Sequence, residues 1–261
     1  MSEVDRFAHI RGFTAARIGL GRSGPGIATA DHLAFRAAHA LARDAVNTSL
    51  DLDAMAAGLA PLGLPVVAVE SRAPDQARYL TRPDLGRRLN EVSVAALQAQ
   101  AKGEEIVVLV AGGLSALATA SHAADLLGLL VPALRRAGRG IGPICIAPRG
   151  RVALGDEVGA LLGARLVLVL IGERPGLSSP DSLGAYLTLA PRLGLTDADR
   201  NCISNIRPEG MVLAEAARRI GWLIDQAMTR GISGVTLKDD SDRVLVANTA
   251  PSLVLGASAG G

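Results

Sequence analysis

The stretch IVVLVAGGLSALATASHAADLLGLLVPALRRAGRGIGPICIAPRGRVALGDEVGALLGARLVLVLI, residues 106–171, decides the fold. It contains three short apolar runs, Ile106–Val110, Ile144–Ala147 and Arg165–Ile171, separated by longer segments with helical periodicity. Apolar strands that alternate with helices are typical of a parallel sheet, because each crossover helix packs back onto that sheet. The stretch therefore predicts an α/β fold, a Rossmann-like mostly parallel sheet with helices on both faces.

Weaker patterns extend this fold in both directions. The predicted helices are Thr29–Val46, Asp84–Ala101, Ser115–Arg136 with a kink at Pro132, Asp156–Leu162 and Val212–Met228. Further strands are predicted at Val66–Val69 and Val235–Leu237, and an irregular stretch contains Tyr186–Leu189. Thr29 is predicted to cap the first helix, whose apolar face carries Leu33, Ala37 and Leu41. We expect a helical N-terminal domain at residues 1–63, an α/β domain at residues 64–261 and a mobile tail from Pro251.

Composition excludes several classes of protein. The chain has 261 residues, of which 49% are hydrophobic, and a formal net charge of +2, with its arginines scattered along the sequence. Scattered arginines without interleaved aromatic residues argue against nucleic-acid binding. The N-terminus lacks the apolar region of a secretory signal, and no strand-like run is long enough to cross a bilayer. We therefore expect a soluble cytoplasmic protein with no membrane partner, in which Cys145 and Cys202 are free thiols.

The loops that follow the predicted parallel strands are the first place to seek a ligand site. In open parallel sheets, ligands bind beyond the carboxyl ends of the strands, which here places Ala111–Ser115, Pro148–Val152 and Gly172–Gly176 together. Glu173, directly after the strongest strand, is able to hydrogen-bond amide groups of a ligand. The alternative is a tight turn in which Glu173 and Arg174 are solvated.

Other motifs do not indicate a complete enzyme. Gly19, Gly21 and Gly24 match GxGxxG, but neither a buried strand before them nor a helix within the motif supports a dinucleotide site. The scattered histidines and cysteines have no metal-ligand spacing, so we predict neither a metal site nor a catalytic residue in this chain. The polar run at residues 78–88 is either a capped helix start or a contact surface for another subunit.

Six segments, in order, carry a resemblance to a known family. They are GRSGP from Gly21, LARDAV from Leu41, TRPDLGRRL from Thr81, GERPGL from Gly172, NCISNIRPEGM from Asn201 and GISGVTLKD from Gly231. Together they resemble the light chain of ethanolamine ammonia-lyase, which forms acetaldehyde and ammonia from ethanolamine by adenosylcobalamin radical chemistry. The resemblance implies a hetero-oligomer with a large TIM-barrel subunit, which carries the substrate pocket and holds the cobalamin at the interface between the two chains.

The resemblance also implies which residues contact the cofactor. Val152 of the GRV segment, Glu173 of GERPG and Cys202 of NCISNI match the family's cobalamin contacts, with Arg151 a weaker candidate. The DxHxxG motif is missing, so a cobalt-ligating histidine is not expected. Family members often carry Asp at the position of Gly112. Some also carry a longer N-terminal extension that resembles a microcompartment-targeting helix, whereas this chain begins about twenty residues before GRSGP. The resemblance therefore implies a cytoplasmic protein and leaves open whether it lies within an ethanolamine-utilisation bacterial microcompartment.

Overall fold

The computed structural model describes residues 7–14 and 16–242, and a six-stranded sheet lies at its centre. In chain order the strands are β1 (Arg22–Ser23), β2 (Gly26–Ile27), β3 (Val66–Ala68), β4 (Ile106–Ala111), β5 (Ile141–Ala147), β6 (Leu166–Gly172), β7 (Leu183–Leu189) and β8 (Arg200–Ile206). The helices are α1 (Ala8–Arg11), α2 (Thr29–Asn47), α3 (Leu52–Leu59), α4 (Gln76–Thr81), α5 (Glu91–Gln98), α6 (Ala116–Arg136), α7 (Leu154–Leu162) and α8 (Leu213–Arg230).

The central sheet confirms the predicted mostly parallel α/β fold. Its strand order is β3-β5-β4-β6-β7-β8. The first four strands in that order are parallel, whereas β7 and β8 are antiparallel additions at one edge. All side chains of β4 and β6 are buried, as expected for strands covered on both faces.

Helices cover both faces of the sheet because successive side chains of a strand point to opposite sides. On β4, Val108 and Val110 pack into a core shared with α3, α6 and α8, whereas Val107 and Leu109 pack into a second core shared with α5 and α7. Helix α6 is the one described helix long and apolar enough to cross a membrane by length and composition. Half of its apolar window is buried, and it packs against β6 and α8 as a core helix.

Several predicted elements differ from the structure. The segment predicted as one helix at Asp84–Ala101 is a 3₁₀ turn followed by α5, because the Asn90 side chain accepts a hydrogen bond from the Ser93 amide and starts a new helix. The strand predicted at Val235–Leu237 is wrong, since Gly234–Thr236 forms a 3₁₀ turn. Thr29 does not cap α2, whose N-cap is Ala28 without a side-chain bond.

The largest correction concerns residues 183–206. The stretch predicted as irregular, which contains Tyr186, is the full strand β7, and the segment around Cys202, predicted to precede a helix, is the edge strand β8. Polar residues break the apolar pattern because β8 is an edge strand that leaves several side chains in solvent. Cys202 is consequently exposed.

The described residues before residue 63 contain the helices α1, α2 and α3 and one hairpin, whose two strands have two residues each. The GxGxxG glycines lie around this β1–β2 hairpin, and Gly24 takes the positive φ of its turn, so no strand-to-helix dinucleotide loop forms there. Met55 and Leu59 of α3 pack into the core beneath the sheet. The domain boundary at residue 63 stays a prediction, and the tail predicted from Pro251 lies outside the described residues.

Candidate functional site

The loops that leave β4, β5 and β6 meet at the carboxyl edge of the sheet, as their sequence positions predict. The Gly112 amide donates to Ala147 O at 2.9 Å, and the Leu114 amide donates to Gly172 O at 3.0 Å. A Cβ on Gly112 would lie 2.4 Å from the carbonyl oxygen of Pro148, and one on Gly172 would lie 1.9 Å from that of Ser115. The loops therefore touch through their backbones and form a close-packed floor of small residues.

A cleft of about 410 Å³ opens above this floor, and we call it the strand-exit cleft. Its walls include Tyr79, Arg151, Val152, Glu173 and Tyr186. The structure thus brings together two of the three predicted cofactor contacts, Val152 and Glu173, although they are 21 positions apart in the sequence. Its rim carries carboxylate and guanidinium groups, and its walls carry aromatic and aliphatic surface.

Glu173 is held in place through one of its two carboxylate oxygens. Oε2 accepts hydrogen bonds from the Ser182 hydroxyl and from the Asn205 amide, the latter at 3.2 Å. Oε1 lies against Gly184, where an added Cβ would be 2.9 Å away. Among the described residues Oε1 accepts no hydrogen bond, so it is available to a donor on a ligand. Asn205 adopts a left-handed backbone conformation with φ of +58°, which places its amide toward Glu173.

Cys202 reaches the cleft through a neighbour on the adjoining strand. It pairs in register with Tyr186 on β7, so both side chains leave the same face of the sheet. Partial burial raises the pKa of the Cys202 thiol, although the neighbouring Tyr186 acts in the opposite direction. Burial likewise raises the pKa of Tyr186 above its ordinary value. Both groups are therefore neutral at physiological pH.

The wall opposite Glu173 comes from the polar run at residues 78–88. The Tyr79 hydroxyl donates to Gly150 O at 2.8 Å, and the Arg151 guanidinium stacks over the Tyr79 ring at 4.5 Å. Burial raises the pKa of Tyr79 to about 12. The ion pair between Arg88 and Glu157, at 3.0 Å, ties the end of this run to α7. Tyr79 is consequently fixed in the wall of the cleft, and the predicted alternative role of the run as a subunit contact stays a prediction.

Buried polar groups of other elements hold the loop between Glu173 and Ser182 in place. Arg207, at the end of β8, donates to Ser178 O at 2.7 Å, and its Nε lies 3.1 Å from Asp181 Oδ1. His122 Nε2 of α6 lies 3.5 Å from the other oxygen of Asp181. Residues far apart in the chain thus fix the loop that begins at Glu173.

Comparison with known proteins identifies the family of this chain. The sequence model of the ethanolamine ammonia-lyase light chain matches residues 4–238. The chain belongs to the ethanolamine ammonia-lyase light-chain family. It is 50% identical to the ethanolamine ammonia-lyase small subunit of Xanthomonas campestris pv. campestris, over 95% of this chain and 93% of that protein. The small subunits of Rhodopseudomonas palustris and Azotobacter vinelandii are 54% and 50% identical to it, each over 89% of this chain, and over 89% and 88% of their own lengths.

Of the segments that carry the light-chain resemblance, GERPGL contributes Gly172, Glu173 and Arg174 to the lining of the strand-exit cleft. TRPDLGRRL begins two residues after Tyr79 in the sequence, and NCISNIRPEGM begins on β8, the strand that pairs with β7. The sequence placed Tyr79 only within the polar run at residues 78–88. It did not single out Tyr186, because an isolated tyrosine carries no signal until strand pairing brings it to the site. Within residues 7–14 and 16–242, no three His, Cys, Asp or Glu side chains form a candidate metal site.

Proposed function

We propose that this chain is the cofactor-holding subunit of an adenosylcobalamin-dependent ethanolamine ammonia-lyase, which converts ethanolamine to acetaldehyde and ammonia together with a large subunit. The observation that carries the proposal is the strand-exit cleft, which Val152 and Glu173 both line, together with the second carboxylate oxygen of Glu173, which accepts no hydrogen bond among the described residues. The cleft lies where open parallel sheets bind large ligands.

The residues of the cleft suit a corrinoid chemically. A corrin carries many amide side chains, whose N–H groups bind carboxylates and whose carbonyl oxygens bind guanidinium groups. Glu173 Oε1 would accept from one such amide, Arg151 would donate to another, and Val152 and Tyr186 would contact the apolar ring periphery. The glycine-rich floor allows a broad planar ring to approach the backbone closely. Cys202, which pairs with Tyr186, would contact the cofactor at the β8 side.

The residues of the cleft support the role that we propose for each subunit. Adenosylcobalamin, when bound, supplies the radical chemistry, whereas protein groups supply orientation and exclude water. We assign the groups that face the cleft to binding and orienting the cofactor rather than to proton transfer. Tyr79 and Tyr186 keep their protons at physiological pH, and the Arg151 guanidinium is held over the Tyr79 ring. A cleft of about 410 Å³ holds only part of a corrinoid, which is why we assign the remaining surface and the substrate pocket to the large subunit.

Reconstitution tests the proposal directly. Acetaldehyde release from ethanolamine with added adenosylcobalamin is measured for this chain alone, for the large subunit alone and for the mixture. We expect activity only in the mixture. No activity in the mixture, when the same large subunit is active with a light chain from one of the relatives, would refute the proposal, as would activity from this chain alone.

A further inference from the structure

Large apolar side chains are exposed along the N-terminal arm, by which we mean residues 16–47. Ile27, Leu33 and Leu41 are each more than half exposed, at 57%, 56% and 58%. Single exposed apolar residues such as Val92 and Val235 are ordinary on protein surfaces. Three in one short region, two of them on the helix face that carries Leu33, Ala37 and Leu41, form a patch.

Helix α2 rests on the rest of the chain with its small residues rather than its large ones. Its more buried positions include Ala38, Ala42 and Ala45, and its contacts are with α6. Residues 32–37 are exposed on every side of the helix, whereas the buried and half-buried positions after Asp31 lie at residues 38–46. An amphipathic helix ordinarily turns its large apolar residues inward. Leu33, Phe35 and Leu41 are exposed instead, which indicates that a second surface covers this part of α2.

The arm ends beside the strand-exit cleft. Gln76 Nε2 of α4 donates to Val46 O at 2.6 Å and fixes the C-terminal end of α2 next to the Tyr79 wall. Leu50, which follows α2, lies against Gly112, with 3.4 Å between its Cβ and an ideal Cβ on that glycine. A helix of 19 residues is about 28 Å long. The C-terminal end of α2 therefore lies beside the same edge of the sheet that carries the cleft.

We infer that the N-terminal arm is a docking surface for the large subunit, an inference that rests on the proposed function. A strip about 28 Å long and about 10 Å wide offers roughly 280 Å², well below the roughly 800 Å² per partner of a stable interface. The arm is thus too small to join two copies of this chain alone. A partner that also covers the cleft edge buries more area than the arm alone offers, and the relatives are named as small subunits, which implies a larger partner.

The double variant L33S/L41S tests this assignment, with V92S/V235S as the matched control. Both pairs replace exposed apolar side chains, so neither is expected to change the thermal melting of the free chain by more than a degree or two. Binding of each chain to the purified large subunit is measured by calorimetry, and the oligomeric state of each free chain by light scattering. We expect the arm variant to bind at least about tenfold more weakly than wild type, because two leucines lose their burial. The control should bind within about twofold of wild type.

The outcomes separate this inference from the proposed function. If wild type binds the large subunit and L33S/L41S binds it equally well, the docking role of the arm is overturned and the proposed function stands. Absence of wild-type binding would overturn both. A free wild-type dimer that L33S/L41S dissociates would show that the arm joins two copies of this chain, and would overturn the assignment to the large subunit.

Discussion

Replacing Glu173 by glutamine should weaken cofactor binding without unfolding the chain. The amide keeps the shape of the carboxylate, and its carbonyl oxygen can still accept from Ser182 and Asn205. Its NH₂ group then takes the position of Oε1. Because an NH₂ group only donates, it cannot accept the hydrogen bond that a ligand N–H would give to Oε1. A hydrogen bond to a charged group contributes about 1.5–3 kcal/mol, so we expect about 10- to 100-fold weaker binding of adenosylcobalamin.

The assay is the adenosylcobalamin concentration that gives half-maximal acetaldehyde release by the reconstituted enzyme. The maximal rate should stay close to that of wild type, because Glu173 is assigned to hold the cofactor rather than to react. E209Q is the matched control: it removes an exposed carboxylate in the segment after β8, where Glu209 pairs with Arg207. If E173Q and E209Q require the same cofactor concentration as wild type, Glu173 serves only to fasten Ser182 and Asn205, and the reasoning from its unoccupied oxygen is wrong.

Two further predictions concern the stability of the free chain. G112A should lower the free energy of unfolding by about 1–3 kcal/mol in urea denaturation, because its Cβ would lie 2.4 Å from a backbone oxygen, whereas G128A, with open space around it, should not destabilise. Burial raises the pKa of Asp156 to about 6, although Arg200 acts in the opposite direction. Between about pH 4 and about pH 6 the folded chain therefore holds a proton on Asp156 that the unfolded chain has released. The stability of wild type relative to D156N should therefore fall, by up to about 3 kcal/mol, as pH rises from about 4 to about 6. A relative stability that increases over this range would mean that the ion pair with Arg200 outweighs burial.

The sequence predicted the parallel centre of the fold because buried strands such as β4 and β6 are uniformly apolar and end in glycine-containing loops. It failed at β8, where the exposed positions of an edge strand interrupt the apolar pattern. Val152 and Glu173 lie at strand exits and could be placed from the order of elements alone. Tyr186 could not, because its position in the cleft depends on antiparallel pairing of β7 with β6 and β8, which no local pattern specifies.

A cofactor site divided between two chains implies that cofactor binding and subunit association are coupled. The floor of the cleft is fixed by backbone contacts of Gly112 and Gly172, so under the proposed function this chain would contribute a preformed half of the site. The open side of the cleft would leave much of a large ligand in solvent until the second chain covered it. By linkage, the factor by which adenosylcobalamin tightens the association of the subunits must equal the factor by which the large subunit tightens cofactor binding. Substitutions at Glu173 should reduce this common factor, whereas substitutions of Leu33 and Leu41 should weaken association equally with and without the cofactor.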